Sequence, residues 1–277
     1  MSHVRQAIPC RDPLHREDTA MLLAIDIGNS NVVIGCLDDS LTPVETFRIT
    51  SDLKKTEYEY GADMKTILEY SHIDLNAFEG AVISSVVPPL TNLFRIAVEK
   101  VFGLRALIVG SGVKTGLNIM IENPSSLGSD LVADSVAAMS SYPLPVIVLD
   151  MGTATTITVV DRNGNYIGGS IVPGVGLSLN ALASGTSLLQ QVPLEAPKKV
   201  INTMTLESMQ SGAVFGAASM IDGMIDRFEE ELGEKCSLVA TGGIAGKIVP
   251  YCRHDITFDK YLLLRGLGMI YRKNVKK

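Results

Sequence analysis

The chain has 277 residues, 46% of them hydrophobic and 19% charged, with a formal net charge of −6. This composition excludes an intrinsically disordered chain, and the length is sufficient for two domains of ordinary size. Nucleic acid is not expected as a partner of an acidic chain that lacks a continuous Lys/Arg patch, and without an uncharged apolar run of about 18 residues no membrane span is expected.

The N-terminal segment, residues 1–20, lacks the apolar centre of a signal peptide. Because Met21 stands directly before the first predicted strand, we interpret 1–20 as a disordered extension or as the product of an upstream start codon. The four cysteines of the chain are scattered and include no CxxC pair. This pattern favours reduced thiols in a cytoplasmic protein over a zinc or disulfide framework.

The first half predicts alternating strands and helices. Strands are predicted at 22–27, 31–37, 44–49, 80–86 and 106–109, and helices at 58–70 and 90–101. A polar loop at 115–129 precedes a helix at 130–141, for which Ser126 or Ser129 is the predicted N-cap. Pro143 and Pro145 end that helix and mark the expected boundary between an N-terminal domain, 21–144, and a C-terminal domain, 145–277.

The second half repeats this order of elements. Strands are predicted at 146–150, 156–161, 166–172 and 237–240, and helices at 174–183, 205–232 and 261–271. We expect a break in the long helix near Gly212 or Gly216, because glycine weakens a helix interior. The alternation predicts an α/β protein built from two similar halves.

Two segments of the chain are nearly the same motif. Residues 22–38 read LLAIDIGNSNVVIGCLD and residues 146–161 read VIVLDMGTATTITVVD. In each, an Asp-x-Gly turn between two strands lets main-chain N–H groups approach phosphate oxygens. Asp26 would repel phosphate but can hold Mg²⁺, which in turn binds phosphate. The alternative for the first motif alone is an ordinary hairpin with Asx-turn residues, and for the second it is the β-propensity of its three threonines.

Two further motifs fit a nucleotide and an acceptor. Thr241-Gly242-Gly243 follows a predicted buried strand and leaves a flat opening for a purine ring. Asp130 lies at a predicted helix start and could accept a proton from a substrate hydroxyl, as in other phosphoryl transfers. Simple helix capping is the alternative for Asp130, and Asp134, four residues further on the same face, is a spare candidate.

Taken together, these residues resemble the type III pantothenate kinases of the acetate kinase/sugar kinase/Hsp70/actin superfamily. The resemblance covers nearly all of 21–277. It rests on DIGNSN at 26–31, ISSVVPPL at 83–90, TGLNI at 115–119, ENP at 122–124, GSD at 128–130, DMGTATT at 150–156, GGSIVPG at 168–174, SMQSG at 208–212 and ATGG at 240–243. It implies a duplicated actin-like, ribonuclease H-like ATPase fold with a central cleft between two similar halves.

The resemblance also implies a function and a set of site residues. The reaction would be ATP-dependent phosphorylation of pantothenate to 4′-phosphopantothenate, the first step of coenzyme A synthesis, in a cytoplasmic homodimer. Asp130 would be the general base, and Asp150 would hold a monovalent cation, K⁺ or NH₄⁺, beside the Mg²⁺ of ATP. The implied ATP-binding residues are Asp26, Ile27, Gly28, Asn29, Ser30, Asn31, Val32, Val33 and Thr153. The implied substrate-binding residues are Gly128, Ser129, Asp130, Leu131 and Thr205.

Three departures from the family pattern fall on the acceptor side. Leu131 stands where the motif has arginine, Ile121 where a tyrosine is usual, and 202–205 reads NTMT instead of Gly-Lys-Asn-Thr. A lost charged hydrogen bond costs roughly 1.5–3 kcal/mol. Two alternatives therefore stand beside the kinase: a non-catalytic regulatory nucleotide-binding homologue, and a kinase for another small hydroxylated acceptor.

Overall fold

A computed structural model describes residues 20–275, so the interpretation of 1–19 lies outside the described residues. The chain forms two β-sheets and seven α-helices within that range. The strands are β1 (Met21–Ile27), β2 (Asn31–Leu37), β3 (Pro43–Thr50), β4 (Phe78–Ser85), β5 (Leu107–Ile108), β6 (Asn118–Ile119), β7 (Val146–Met151), β8 (Ala154–Val160), β9 (Asn165–Pro173), β10 (Ser237–Thr241) and β11 (Thr257–Phe258). The helices are α1 (Glu57–Tyr70), α2 (Pro88–Phe102), α3 (Ser129–Ser141), α4 (Val175–Gly185), α5 (Thr205–Leu232), α6 (Ala245–Ile248) and α7 (Leu262–Asn274).

The two sheets have the same strand plan. The first runs β3-β2-β1-β4-β5, and the second runs β11-β10-β7-β8-β9-β6. In both, three antiparallel strands are continued by two parallel ones, and β6 is added to the second sheet beside β9. This repeated plan confirms the predicted α/β fold of two similar halves.

Alternating side chains of β1 show how the layers are built. Leu22 and Ala24 pack into a central core, whereas Leu23 and Ile25 pack into a second core under α1 and α2. Successive side chains of a strand point to opposite faces, so this sheet is buried on both sides. The central core also takes residues from α3, α7 and the second sheet, and a third core lies between that sheet and α5. Helices α3 and α7 therefore lie between the two sheets.

The predicted break in the long helix is wrong, because α5 is continuous over 28 residues. Gly212 and Gly216 are exposed, and each costs roughly 1 kcal/mol of helix propensity. The opposite side of α5 buries Val214, Ala218 and Ile221 in the third core. Packing of that apolar stripe outweighs the local preference of the two glycines.

The predicted N-cap of α3 is also wrong. Gly128 holds the N-cap position without a side-chain cap, and Ser126 belongs to a separate 3₁₀ turn. The Ser129 hydroxyl is used elsewhere: it accepts a hydrogen bond from Ser85 N (2.9 Å) and shares one with Ser84 Oγ (3.0 Å). These bonds fasten the start of α3 to the end of β4.

Some elements, including the predicted helix α7, depend on partners that are distant in the chain, and the short ones among them were not predicted. Strand β6 lies within the predicted 115–129 loop and pairs with β9. Helix α7, at the far end of the chain, packs on β1 and β4 of the first sheet. The domain limits of 144 and 145 stay a prediction. Within residues 20–275, no helix combines the length and apolar character needed to cross a membrane.

Candidate active site

The first Asp-x-Gly hairpin is a fixed turn with available donors. Gly28 N donates to Asn31 O (3.0 Å), and the Ser51 hydroxyl donates to Gly28 O (2.6 Å). Ser51 N also donates to Ser30 O, so the end of β3 supports the turn from outside. Among the described residues, Asn29 N and Ser30 N have no main-chain partner. The turn is therefore rigid and offers N–H groups to an anion.

The second hairpin has the same form and touches the first. Gly152 N donates to Ala154 O (2.9 Å), and Gly174 N donates to Thr153 O (3.0 Å). A methyl group on Gly174 would collide with Gly152 O and Thr153 O. Because glycine has no side chain, Pro173-Gly174 can pack closely against the turn. Thr153 Oγ1 and Ser30 Oγ lie 2.9 Å apart in a hydrogen bond across the cleft.

Asp130 lies in the first turn of α3, where the helix dipole favours a carboxylate. Its Oδ1 accepts a hydrogen bond from Leu131 N (2.8 Å). A side chain on Gly128 would displace this carboxylate from its present position. Burial raises the pKa of Asp130, and the main-chain hydrogen bonds of Leu131 and of Asp130 itself oppose the rise.

Three predicted site aspartates influence one another electrostatically. Burial, with the charge of Asp130 and then of Asp150, raises the pKa of Asp26 to about 8, although a hydrogen bond from Ser84 lowers it. Burial, followed by the charge of Asp130, raises the pKa of Asp150 to about 7. Asp26 is the second-last residue of β1 and Asp150 the second-last of β7, so the carboxyl ends of both central strands meet the start of α3.

Asp134 adds a fourth carboxylate that is fully buried. Its exposed fraction is 1%, and both of its oxygens lack a hydrogen-bond partner. Burial, followed by the charge of Asp150, raises the pKa of Asp134 well above its ordinary value, with smaller contributions from Asp130, Asp26 and Asp259. The sequence indicated Asp134 only as a spare base, because four-residue spacing reveals a shared helix face but not depth of burial.

The third predicted loop lies directly beside Asp150. Gly242 has φ +92°, and a methyl group there would lie 2.6 Å from Asp150 Oδ1. Across the cleft, Arg48 of β3 approaches the next residue: a methyl group on Gly243 would lie 3.2 Å from Arg48 Nη2. Sequence reasoning missed Arg48, since a lone arginine in an edge strand carries no local signal of function.

The acceptor-side residues are less closely assembled. Leu131 is half-buried beside Asp130, while Ile121 packs against the central core. Thr205 is exposed at the first position of α5. Within 20–275, no hydrogen bond joins Thr205 to the other predicted site residues. The structure thus brings together Asp26, Ser30, Asp130, Asp150 and Thr153, and leaves Thr205 apart.

The carboxylate oxygens of the four site aspartates are suitable ligands for hard cations. No Lys, Arg or His nitrogen of the described chain lies within 4.0 Å of the carboxylates of Asp26, Asp130, Asp134 or Asp150. Oxygen ligands of this kind are those preferred by Mg²⁺ and other hard cations. No group of three or more His, Cys, Asp or Glu side chains in residues 20–275 is arranged to hold a metal ion, so hydroxyl, main-chain or phosphate oxygens are needed to complete a ligand set.

Two repeated sheets, each presenting an Asp-x-Gly hairpin to a shared cleft, define the class: a two-lobed ATPase fold of the actin and sugar kinase type. Solved structures share this fold. The (R)-2-hydroxyglutaryl-CoA dehydratase component A of Acidaminococcus fermentans aligns with a TM-score of 0.53 and 14% identity over 93% of this chain and 100% of that one. The activator of 2-hydroxyisocaproyl-CoA dehydratase from Clostridium difficile, with bound ADPNP, aligns with a TM-score of 0.51 and 11% identity over 93% and 98%.

Within this class, the chain belongs to the type III pantothenate kinase family. The family profile, "Type III pantothenate kinase", matches residues 22–227. A type III pantothenate kinase of Exiguobacterium is 39% identical over 92% of this chain and 100% of the relative. Those of Moorella thermoacetica and Roseiflexus castenholzii are 39% and 41% identical over 92% of this chain and 100% and 99% of theirs.

Proposed function

We propose that this chain is a pantothenate kinase that transfers the γ-phosphoryl group of ATP to pantothenate, giving ADP and 4′-phosphopantothenate. Membership in the family over nearly the whole chain supports the reaction. The observation that carries it is the position of Asp130 at the start of α3, where its charge raises the pKa of both Asp26 in the first phosphate hairpin and Asp150 in the second. A base in that position can meet an acceptor hydroxyl beside the γ-phosphate.

Asp130 serves as the general base. Its Oδ1 is held by Leu131 N, which orients the carboxylate and leaves Oδ2 for the substrate hydroxyl. Burial raises its pKa, which makes the carboxylate a stronger proton acceptor than an exposed aspartate. The proton of the attacking hydroxyl passes to Asp130 as the oxygen bonds to phosphorus and the bond to ADP breaks.

The two hairpins hold the nucleotide. Main-chain donors of the segment from Asp26 to Val33 bind phosphate oxygens. Thr153, in the second hairpin, contacts ATP from the other half of the molecule. Asp26 would hold Mg²⁺, and Asp150 would hold the monovalent cation, K⁺ or NH₄⁺. When bound, these cations neutralise the negative charge of the phosphates. The Ser30–Thr153 contact keeps the halves together and helps to exclude water as a competing acceptor.

The acceptor binds along the start of α3, at Gly128, Ser129, Asp130 and Leu131. Because the Ser129 hydroxyl is already bonded to β4, its contribution comes from the main chain. Leu131 offers an apolar wall in place of a positive charge. Thr205 would be the remaining contact, and it lies on the exposed surface at the start of α5, apart from the other site residues.

A homodimer would bring the exposed surface around Thr205 close to the acceptor-binding site. Exposed apolar side chains are concentrated between β9 and the start of α5: Ile171, Leu177, Leu182, Leu188, Val200, Ile201, Met204 and Leu206. Covering such a surface with a second copy would stabilise the assembly and place Thr205 at the interface. We place this ATP-dependent enzyme in the cytoplasm, as the family resemblance implies.

An acceptor assay tests the proposal. Purified full-length protein is incubated with ATP, Mg²⁺, K⁺ or NH₄⁺ and pantothenate, and ADP and phosphopantothenate are quantified together. Equal amounts of both products are expected, with little ADP when pantothenate is omitted. ATP binding without turnover would instead support a regulatory homologue. Turnover only with other small alcohols would support a kinase for a different acceptor.

A further inference from the structure

The part of the chain that forms the acceptor side carries almost no positive charge. Between Thr115 and Pro197 the sequence contains one Lys, Arg or His residue, Arg162, although the whole chain has 24 Lys and Arg residues. This stretch forms α3, β7, β8, β9 and α4, and it includes every proposed acceptor contact except Thr205. A negatively charged acceptor therefore meets few cationic partners here.

Arg162 lies at the far end of its hairpin from the cleft and already has a partner. It occupies the turn between β8 and β9, about 20 Å along β8 from the turn that carries Thr153. Its Nε donates a hydrogen bond to Glu234 Oε2 (3.0 Å), and 71% of its side chain is exposed. This guanidinium is not available to a molecule bound at the start of α3.

Helix α7 packs along α3 and carries three further cations, each of which is bonded elsewhere. They are Arg265, which donates to Asp259 Oδ1 (2.9 Å), Arg272, which donates to Asp39 O, and Lys273, which donates to Thr115 O (3.2 Å). Arg48 approaches Gly243, on the side of the cleft proposed for the nucleotide. In the described part of the chain, no cationic nitrogen lies within 4.0 Å of the Asp130 carboxylate.

The surfaces around the start of α3 are apolar. Leu131 is half-buried directly after the proposed base, and Val86 Cγ1 lies 3.6 Å from the position that a methyl group on Gly128 would occupy. Ile121 packs against the central core, and its Cγ2 lies 4.0 Å from the corresponding methyl position on Gly168 of β9. An acceptor that enters beside the base therefore contacts aliphatic side chains, main-chain groups and a carboxylate.

The charges of the proposed site disfavour an additional anion. The phosphates of ATP would lie beside Asp26, Asp130 and Asp150, and the cations bound with ATP offset the charge of those phosphates. A carboxylate that leaves water without a cationic partner is strongly unfavourable, whereas an amide needs only hydrogen bonds. Arginine and lysine are the side chains that ordinarily supply such a partner.

We propose that this site selects an uncharged primary alcohol as acceptor, and that neutral amides of pantothenic acid are phosphorylated at least as efficiently as pantothenate. This selectivity rests on the proposed function, from which the role of Asp130 as base is taken. The amide keeps the reacting hydroxyl of pantothenate and replaces only the carboxylate at the other end of the molecule. Its hydroxyl oxygen bonds to the γ-phosphorus, the hydroxyl proton passes to Asp130, and the bond from the γ-phosphorus to ADP breaks.

Acceptor kinetics of the full-length protein test this selectivity. ATP, Mg²⁺ and K⁺ are supplied with pantothenate or with N-methylpantothenamide, and ADP and the phosphorylated acceptor are quantified together. We expect kcat/KM for the amide to equal or exceed that for pantothenate. Leu131→Arg should shift the ratio towards pantothenate at least about tenfold, because arginine can pair with the carboxylate. Ser140→Arg is the matched control: it places the same charge in the exposed last turn of α3 and should keep the wild-type ratio.

A higher kcat/KM for pantothenate than for the amide would overturn the selectivity and leave the proposed pantothenate kinase function intact. An unchanged ratio in Leu131→Arg, or an equal shift in Ser140→Arg, would also overturn it. Phosphorylation of the amide alone would support the selectivity and refute pantothenate as the acceptor, whereas turnover of neither compound would refute both. Should Leu131→Arg fail to fold, the wild-type comparison decides.

Discussion

Ser30 and Thr153 share a hydrogen bond of 2.9 Å between their side-chain oxygens, although 123 positions separate them along the chain. Ser30 belongs to the turn of the first hairpin and Thr153 to the turn of the second. The bond therefore joins the two repeats at the point where both approach a phosphate chain. Its consequence for catalysis can be measured by removing one hydroxyl at a time.

Ser30→Ala should lower kcat/KM for ATP while leaving KM for pantothenate nearly unchanged. A neutral hydrogen bond contributes about 0.5–1.5 kcal/mol, which corresponds to roughly 2- to 12-fold in kcat/KM. Steady-state kinetics with ATP as the varied substrate measures the effect. Ser40→Ala is the control, because its hydroxyl bonds only within the β2–β3 turn. Wild-type kinetics in Ser30→Ala would contradict a role for the contact.

Asp130→Asn should lose most of kcat and keep ATP binding. The amide has nearly the same shape but cannot accept the hydroxyl proton, and general base catalysis contributes roughly 10²- to 10⁴-fold. Turnover and nucleotide affinity are measured separately, the latter by calorimetry. Asp39→Asn, at an exposed turn, should behave as wild type. Near-normal kcat in Asp130→Asn would remove the base assignment.

The cation-free protein should lose stability as pH rises from about 5 to 8. The pKa of Asp26 is raised to about 8 and that of Asp150 to about 7. In this window the folded chain retains protons that the unfolded chain releases, so the free energy of unfolding falls with pH. Thermal melts in chelated choline buffer measure this slope. Asp26→Asn should flatten it and raise the melting temperature at pH 8, by roughly 2–4 °C for each kcal/mol gained.

The exposed Asp39→Asn variant should keep the wild-type slope in the same buffer. A free energy of unfolding that increases with pH would mean that the site carboxylates are stabilised in their charged form. That result would contradict their burial among like charges. Added Mg²⁺ should reduce the wild-type slope, because a bound cation favours the charged carboxylates.

Arg48→Met should weaken ATP binding. The guanidinium crosses the cleft toward Gly243, and no carboxylate of the described chain pairs with it, so it is available for a nucleotide phosphate. We expect KM for ATP to rise about tenfold, the equivalent of about 1.4 kcal/mol. Arg48→Lys should recover part of the loss. Arg95→Met, on the exposed face of α2, is the control, and an ATP KM unchanged by Arg48→Met would refute the contact.

Leu131→Arg should improve the use of pantothenate. The new guanidinium would lie beside Asp130 and supply a charged hydrogen bond to the acceptor, worth roughly 1.5–3 kcal/mol. KM for pantothenate should fall at least about tenfold with kcat retained. Leu131→Met, which keeps an apolar side chain of similar size, should leave KM near the wild-type value. An unchanged or higher KM in Leu131→Arg would mean that this protein recognises its acceptor through other groups.

Local patterns were sufficient to predict the hairpins that carry Asp26 and Asp150. Their strands alternate apolar residues around a glycine turn, and both turns occur as expected. The position of Asp130 at a helix start was predicted for the same reason. Each of these features depends on a few neighbouring residues, whose preferences agree with the tertiary fold.

Features decided by distant contacts could not be read from the sequence. The unbroken α5 depends on packing against the second sheet, which overrides Gly212 and Gly216. The cap of α3 depends on the commitment of Ser129 to β4. Arg48 could be recognised as a site residue only because the structure shows β3 opposite Gly243. The burial of Asp134 likewise follows from the packing of α3 against the second sheet. Propensity and spacing contain no information about these approaches.

The position of α7 has a consequence for synthesis on the ribosome. Leu264, Leu267 and Ile270 cover the inner face of the first sheet, against Leu22 and Ala24, yet they are translated after the whole second repeat. At 5–20 residues per second, the nascent first sheet waits on the order of ten to thirty seconds for this cover. During that time its inner surface is open to chaperones, and the repeats complete their folding together instead of one after the other.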